Sequence, residues 1–200
     1  MHPGPALLGI VLVALVISGL EPADRATWIL EVGPVLIGAP LLVAAWRRAP
    51  PSRLLAWLLA GHALILILGG HYTYAMVPPG FWVQEALGLA RNHYDRLGHL
   101  AQGFVPAILA REVLLRCSVL ERGGWLFFLV TCVVLAFSAF YELLEWWTAL
   151  VAGSAATAFL GTQGDVWDTQ WDMFLALVGA LAAQLLLARA HDRSLREVFR

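Results

Sequence analysis

The sequence predicts an all-α polytopic bundle of six membrane-spanning helices with both termini on the cytoplasmic side. Of 200 residues, 60% are hydrophobic and only 14% charged, against about 25% charged in soluble domains. The apolar residues fall into six runs, each near the about 20 residues that cross roughly 30 Å of hydrocarbon. The arginines are concentrated in alternate connections, which fixes an orientation. Formal charge is −1, and all 13 basic residues are Arg with no basic stretch among them. Nothing supplies the counterion-releasing surface that nucleic acid requires, so nucleic acid is not an expected partner. Cys117 and Cys132 lack CxxC spacing and read as small apolar side chains.

Residues 5–20, 28–46 and 54–70 are apolar runs bounded by polar punctuation, and each is expected to span. The first could be a signal peptide, but its leading MHPGP carries no Arg or Lys and no clean small-x-small cleavage site follows. Residues 96–115 are less apolar, with Pro106 and several polar groups, the pattern of a helix buried among other helices. Runs 125–149 and 170–190 complete the six, all within a single domain over 1–200. Trp28, Trp125, Trp146, Trp147 and Trp171 fall near predicted ends, where amphipathic rings favour the interface.

With the N-terminus inside, the cytoplasmic side holds Arg47, Arg48, Arg53, Arg111, Arg116, Arg122, Arg189, Arg193, Arg196 and Arg200. The outer side holds only Arg25, Arg91 and Arg96. The same topology places ten acids on or near the outer side: Glu21, Asp24, Glu31, Glu85, Asp95, Glu142, Glu145, Asp165, Asp168 and Asp172. Glu21, Asp24 and Glu85 read as solvated loop charges, and His62, alone in the third run, as a hydrogen-bonded core residue.

Four polar segments far apart in sequence converge on that outer face. They are HYTY, with His71, Tyr72 and Tyr74; NHYDRLGH, with His93, Asp95, Arg96 and His99; YELLEWW, with Glu142 and Glu145; and GDVWDTQWD, with Asp165, Asp168 and Asp172. At 3.6 residues per turn, Asp95, His99, Gln102 and Pro106 form one stripe. Glu142 and Glu145 form another, with Ser138 one turn further in. Asp168 and Asp172 form a third, which Asp165 joins if the helix reaches back to it. Acids gathered in low dielectric repel one another unless a proton, an Arg or a cation neutralises them. Arg96 is one candidate counter-charge, and a divalent metal is the other. Carboxylates with imidazole suit Zn²⁺, Mn²⁺, Fe²⁺ or Mg²⁺, His favouring the first three. The candidate ligands are Asp95, His99, Glu142, Glu145, Asp165, Asp168 and Asp172; the candidate catalytic groups are Asp95, His99, Glu142, Asp168 and Asp172. His71, Tyr72, His93, Arg96 and Gln102 are candidate supports. The bland reading of Asp168 is a helix N-cap. EF-hand, GxSxG, phosphate-loop and Glu-x-x-His di-iron signatures are all missing from the sequence.

The strings HYTYAMVP, RNHYDRLGHLAQGFVPAILARE, YELLEWW and GTQGDVWDTQWDMFLALVGA, all in order, make the chain resemble the YjdF-like family of bacterial inner-membrane proteins. The resemblance covers essentially the whole chain and implies a small multi-pass protein of the inner, cytoplasmic membrane, surrounded by lipid. That family carries no established activity. A partial likeness to VanZ-like membrane proteins rests on Asp95 and His99, Glu142, and Asp168 and Asp172 before Gly179, with Arg96 where that pattern has lysine and Glu145 where it has glutamine. It implies a shared four-helix core and a role in cell-envelope or glycopeptide-antibiotic biology.

The residues themselves point first to an outward-facing, metal-assisted site acting on a lipid or envelope-derived substrate. An ion- or proton-coupled carrier and a scaffold without catalysis are the competing expectations.

Overall fold

The computed structural model describes residues 2–153, 157–160 and 162–198, and the described residues are helical or irregular with no strand among them. Arg200, counted above with the basic residues of the cytoplasmic side, lies outside them. Helix α1 covers Gly4–Leu20, α2 Arg25–Glu31, α3 Gly33–Ala45, α4 Arg53–Tyr72, α5 Pro78–Leu87, α6 Tyr94–Cys117, α7 Gly124–Ala152, α8 Thr157–Leu160 and α9 Asp168–Val198. By length and composition α4, α7 and α9 are long and apolar enough to cross a membrane, and α2 with α3 makes a fourth candidate bent by 45°. Helix α1 is apolar but has 17 residues. Helix α6 has 24 residues and carries Asp95, Arg96, Arg111, Glu112 and Arg116, too many charges for a helix that faces lipid.

The run 28–46, expected as one helix, is two. Pro34, in the first turn of α3, has no N–H to give the Leu30 carbonyl, and its ring clashes with that carbonyl, so the ladder breaks between Glu31 and Gly33. The Val32 N–H closes α2 onto the Trp28 and Leu30 carbonyls instead. Asp24, expected as a free loop charge, caps α2: its Oδ1 accepts from the Thr27 N–H at 2.7 Å. That bond holds its carboxyl below the ordinary value. Ser52 caps α4 in the same way, accepting from the Leu55 N–H at 3.3 Å. Helix α5 is an element that the apolar runs did not announce, because Pro78, Pro79 and Gly80 open it; it ends on Gly88 in the left-handed region at φ 62°.

Helix α4 stands between two packed clusters. On one side it meets α1 and the α2–α3 pair through Leu7, Val11, Val32, Val35 and Ile67. On the other, Leu55 joins Ile108 of α6, Val130 and Val134 of α7, and Ala180 and Ala183 of α9. The most extensive contact is between α6 and α9. Lipid offers no hydrophobic gain for pairing two apolar helices, so close approach through small residues carries the association. Gly103 and Gly179 are what allow it: a Cβ on Gly103 would lie 1.9 Å from the Ala176 carbonyl oxygen, and one on Gly179 would lie 2.2 Å from the Leu100 oxygen.

The end of the bundle where α4 and α7 begin and α6 and α9 finish holds a polar network that helical spacing alone does not reveal. His191, completely buried, donates from Nε2 to Glu112 Oε2 at 2.9 Å, and its Nδ1 accepts from Arg111 at 2.8 Å. Glu112 Oε1 also accepts from the Ser52 N–H at 2.8 Å and from Arg116 at 3.0 Å. Arg111 reaches Asp192 at 2.8 Å and Arg122 reaches the same oxygen at 3.0 Å. The network ties the α3–α4 connection to α6 and α9. His62 differs from its expected role: it is half-buried in α4, and its Nε2 has no hydrogen-bond partner.

Candidate functional site

At the opposite end of the bundle, α6 and α9 begin and α7 nears its finish. Helical spacing puts Asp95 and His99 on one face of α6, Ser138, Glu142 and Glu145 on one face of α7, and Asp168 and Asp172 on one face of α9. The three faces meet. His99 Nε2 lies 3.4 Å from Asp95 Oδ1 and 3.8 Å from Asp172 Oδ2, while its Nδ1 lies 4.0 Å from Glu142 Oε1. His99 is 5% exposed and Asp172 2%. One donor atom from each of Asp95, His99 and Asp172 lies within 4.8 Å of the other two, and the same is true of His99, Glu142 and Glu145. His99 belongs to both groups, its Nε2 facing Asp95 and Asp172 and its Nδ1 facing Glu142.

Four atoms in this cluster are buried without a hydrogen-bond partner: His99 Nδ1, Ser138 Oγ, Glu142 Oε1 and Asp172 Oδ1. Buried polar atoms normally find partners, because leaving one bare costs about 1–3 kcal/mol. Such atoms are concentrated on facing sides of three helices. Tyr141 packs edge-on against His99 at 6.3 Å between ring centres, and Phe159 of α8 packs on Tyr141 at 6.4 Å.

The other candidates fall elsewhere. Asp165 lies before α9, on a turn closed by its own N–H to the Thr162 carbonyl, and does not continue the α9 stripe. Its Oδ2 accepts from Arg96 at 2.7 Å and from Arg91 at 2.9 Å, and its Oδ1 accepts from the Trp167 N–H at 3.0 Å. The Trp167 bond first, then the two guanidiniums, hold its carboxyl below the ordinary value against some desolvation. Asp168 accepts from Arg91 at 3.2 Å, between Asp165 and Asp172. Arg96 is thus engaged by Asp165 rather than by the inner acids, and its guanidinium lies 4.9 Å over the Trp171 ring. His93 occupies the N-cap position of α6 without capping it; desolvation, and then the charges of Arg91 and Arg96, hold its imidazole below the ordinary value. Gln102 is half-buried one turn further in from His99. His71 and Tyr72 end α4 and meet edge to face, and His71 Nδ1 donates to the Ser18 carbonyl at 2.9 Å, so His71 fastens α1 to α4 rather than joining the cluster. Tyr74 is buried between Gly69 and Gly98 against Tyr94.

Two participants escaped the sequence reading. Glu31, counted only as an outer acid, is 5% exposed and within electrostatic reach of Asp95 and His99. It is the last residue of α2, directly before the break, and a run read as one straight helix gives no sign of its burial. Arg91 was counted only as an outer cation; its three acceptors lie 71 to 77 residues away.

Residues 5–193 match the family model described as "Predicted membrane protein (DUF2238)". The chain belongs to that family. It is 56% identical over 182 residues, 91% of this chain and 87% of the relative, to "Inner membrane protein YjdF" of Escherichia coli (strain K12). No solved structure matches it. The DUF2238 chain is accordingly a multi-pass protein of the inner membrane, as the YjdF-like strings implied.

Proposed function

We propose that this protein crosses the inner membrane six times, through α1, the bent α2–α3 pair, α4, α6, α7 and α9, with both termini in the cytoplasm. We further propose that His99 and its carboxylates hold a divalent cation at the outer end and act there on a phosphoryl or acyl group of a lipid or envelope-derived substrate. The orientation follows from the arginine bias, ten inside against three outside.

The observation that carries the cation is the spacing of donors around a buried histidine. Metal bonds of about 2.1 Å in tetrahedral array put donors about 3.4 Å apart. The Nε2–Asp95 and Nε2–Asp172 separations of 3.4 and 3.8 Å are of that size. With Nε2 on the ion, the Glu142 carboxylate beside Nδ1 is placed to orient the ring, the usual partner of a metal-bound imidazole. The mixture of one His with carboxylates favours Zn²⁺, Mn²⁺ or Fe²⁺ over Mg²⁺. A bound cation would supply Lewis acidity toward a phosphoryl or acyl oxygen, or toward water. Glu145, half-buried at the edge of the cluster, is the carboxylate free to take a proton. The VanZ-like pattern falls on these same residues, which supports a role at the envelope.

A cation- or proton-coupled carrier would draw on the same acids. It needs α6 to bend near Gly103 and Pro106, and the backbone contact of Gly103 with Ala176 leaves little space for that.

The test is the metal content of detergent-purified protein by mass spectrometry, wild type beside Asp95→Asn/His99→Gln, with folding checked by size exclusion. Near-stoichiometric metal that disappears in a folded double variant is the expected result. A well-folded wild type that takes up neither Zn²⁺ nor Mn²⁺ overturns the cation site. A C-terminal reporter active only outside the cytoplasm overturns the topology.

A further inference from the structure

We infer that Arg91 and Arg96 form a receptor for a phosphate-bearing anion at the mouth of the proposed cation site, and that the Asp165 carboxylate occupies it in the absence of that anion. Binding itself stands apart from the cation site; only its chemical use rests on that reading.

Two guanidiniums from different segments, one before α6 and one in its first turn, converge on a single carboxylate oxygen at 2.9 and 2.7 Å. Both are largely buried, with side chains 16% and 19% exposed. Bringing two cations together out of water is unfavourable unless an anion bridges them, and the planar fork of Arg is suited to oxyanions. Each donor has a contact besides the Asp165 carboxylate. Arg96 rests on the Trp171 ring, Arg91 also donates to the Thr162 carbonyl and to Asp168, and both belong to the rim of α6. Asp165 comes instead from a turn outside the long helices.

The donor set also exceeds what a carboxylate uses. Asp165 spends Oδ1 on the Trp167 N–H and leaves only Oδ2 for both arginines. Arg96 Nε is buried with no partner, and so is Nδ1 of His93, three residues earlier in the chain. A planar carboxylate has no third oxygen to offer them, whereas a tetrahedral phosphate does, and it brings about −1.5 to −2 charges in place of one. Arg96 lies between Asp95 and His99 in the sequence of α6, one helical turn from the imidazole. A phosphate held by the two arginines therefore lies beside the acid–histidine cluster.

The experiment titrates purified protein with inorganic phosphate by calorimetry, and in parallel measures whether phosphatidic acid in phosphatidylcholine nanodiscs competes with that phosphate. Asp165→Asn is expected to bind phosphate about tenfold more tightly than wild type, and Arg91→Gln and Arg96→Gln about tenfold more weakly, the scale of one charge-assisted contact. Arg96→Lys keeps the charge but loses Nε, and an affinity several-fold below wild type is expected; it decides the matter if the Gln variants do not fold. Competition by phosphatidic acid identifies a lipid headgroup as the source, and binding of inorganic phosphate alone identifies a free phosphate. An Asp165→Asn protein that binds no more tightly than wild type, or an Arg96 variant that binds no more weakly, overturns the receptor. Mn²⁺ titrations of the same samples separate the two readings: loss of Mn²⁺ binding with the phosphate pattern intact removes the cation site alone.

Discussion

Replacing Gly179 by Ala adds one methyl group at the tightest point of the molecule. Its Cβ would lie 2.2 Å from the Leu100 carbonyl oxygen and 2.8 Å from the Phe104 nitrogen, against a normal C···O approach of about 3.3 Å. Both obstacles are backbone, so no side chain can rotate away, and α6 and α9 must part by about 1 Å. A gap of that size forfeits roughly a quarter to a half of the dispersion energy between the facing atoms. Overpacking of this kind costs about 1–3 kcal/mol, and the better helix propensity of Ala returns up to about 1 kcal/mol. With the full return subtracted, the net expectation is a loss of up to about 2 kcal/mol, read as a lower Tm in detergent. The same displacement carries Asp172, on the same face of α9, away from His99, from which it is already separated by 3.8 Å. Mn²⁺ affinity should therefore fall by about 10- to 100-fold, as when a positioning contact of a metal ligand is lost. Gly61→Ala is the control: nothing lies within 4 Å of its Cβ, so Tm should hold or rise slightly. A Gly179→Ala protein with the Tm and Mn²⁺ affinity of wild type would refute the claim that backbone contact sets the site.

Two further outcomes are expected. Because the Asp165 carboxyl is held below its ordinary value of 3.8 in the fold, it stabilises the native state fully above that value and loses this contribution as pH falls through the lowered one; Asp165→Asn should show a shallower acid limb in melting curves taken across pH, and an unchanged limb would count against the bridge. His191→Ala removes the partner that Glu112 and Arg111 share while Glu112 keeps Arg116 and the Ser52 N–H and Arg111 keeps Asp192, which should cost about 1–3 kcal/mol and appear as a drop in monodisperse protein on size exclusion.

Much of the outer cluster was legible because an apolar background makes a polar stripe conspicuous. Asp95 with His99, Glu142 with Ser138, and Asp168 with Asp172 stand at helical spacing in segments otherwise rich in Leu, Val and Phe, and only one face of each helix could accept them. What periodicity does not carry is the partner. Nothing in the spacing says that Asp165 is taken by Arg91 and Arg96, or that His71 turns to the Ser18 carbonyl. The Glu112–His191 bond joins residues 79 apart at the ends of two helices, where charges are expected for topological reasons and attract no notice. Glu31 was hidden by a different cause, the break at Pro34, since a Pro is tolerated within a span and does not by itself announce a bend. The family strings covered the whole chain and located it in the inner membrane, while the pairing of charges waited for the structure.

The short helices at the outer end have a consequence for timescale. Helix α8 touches both α2 and α7, Phe159 covers Tyr141, and Tyr141 covers His99. An ion held at His99 as proposed would have this aromatic stack above it and the interlocked backbones of α6 and α9 beside it, so its exchange with the surroundings would be slow. If the proposed ion is bound there, slow exchange would make occupancy partly a matter of history: the ion acquired as the chain assembled would be replaced only over long equilibration, and titrations with Zn²⁺ or Mn²⁺ would have to allow for that.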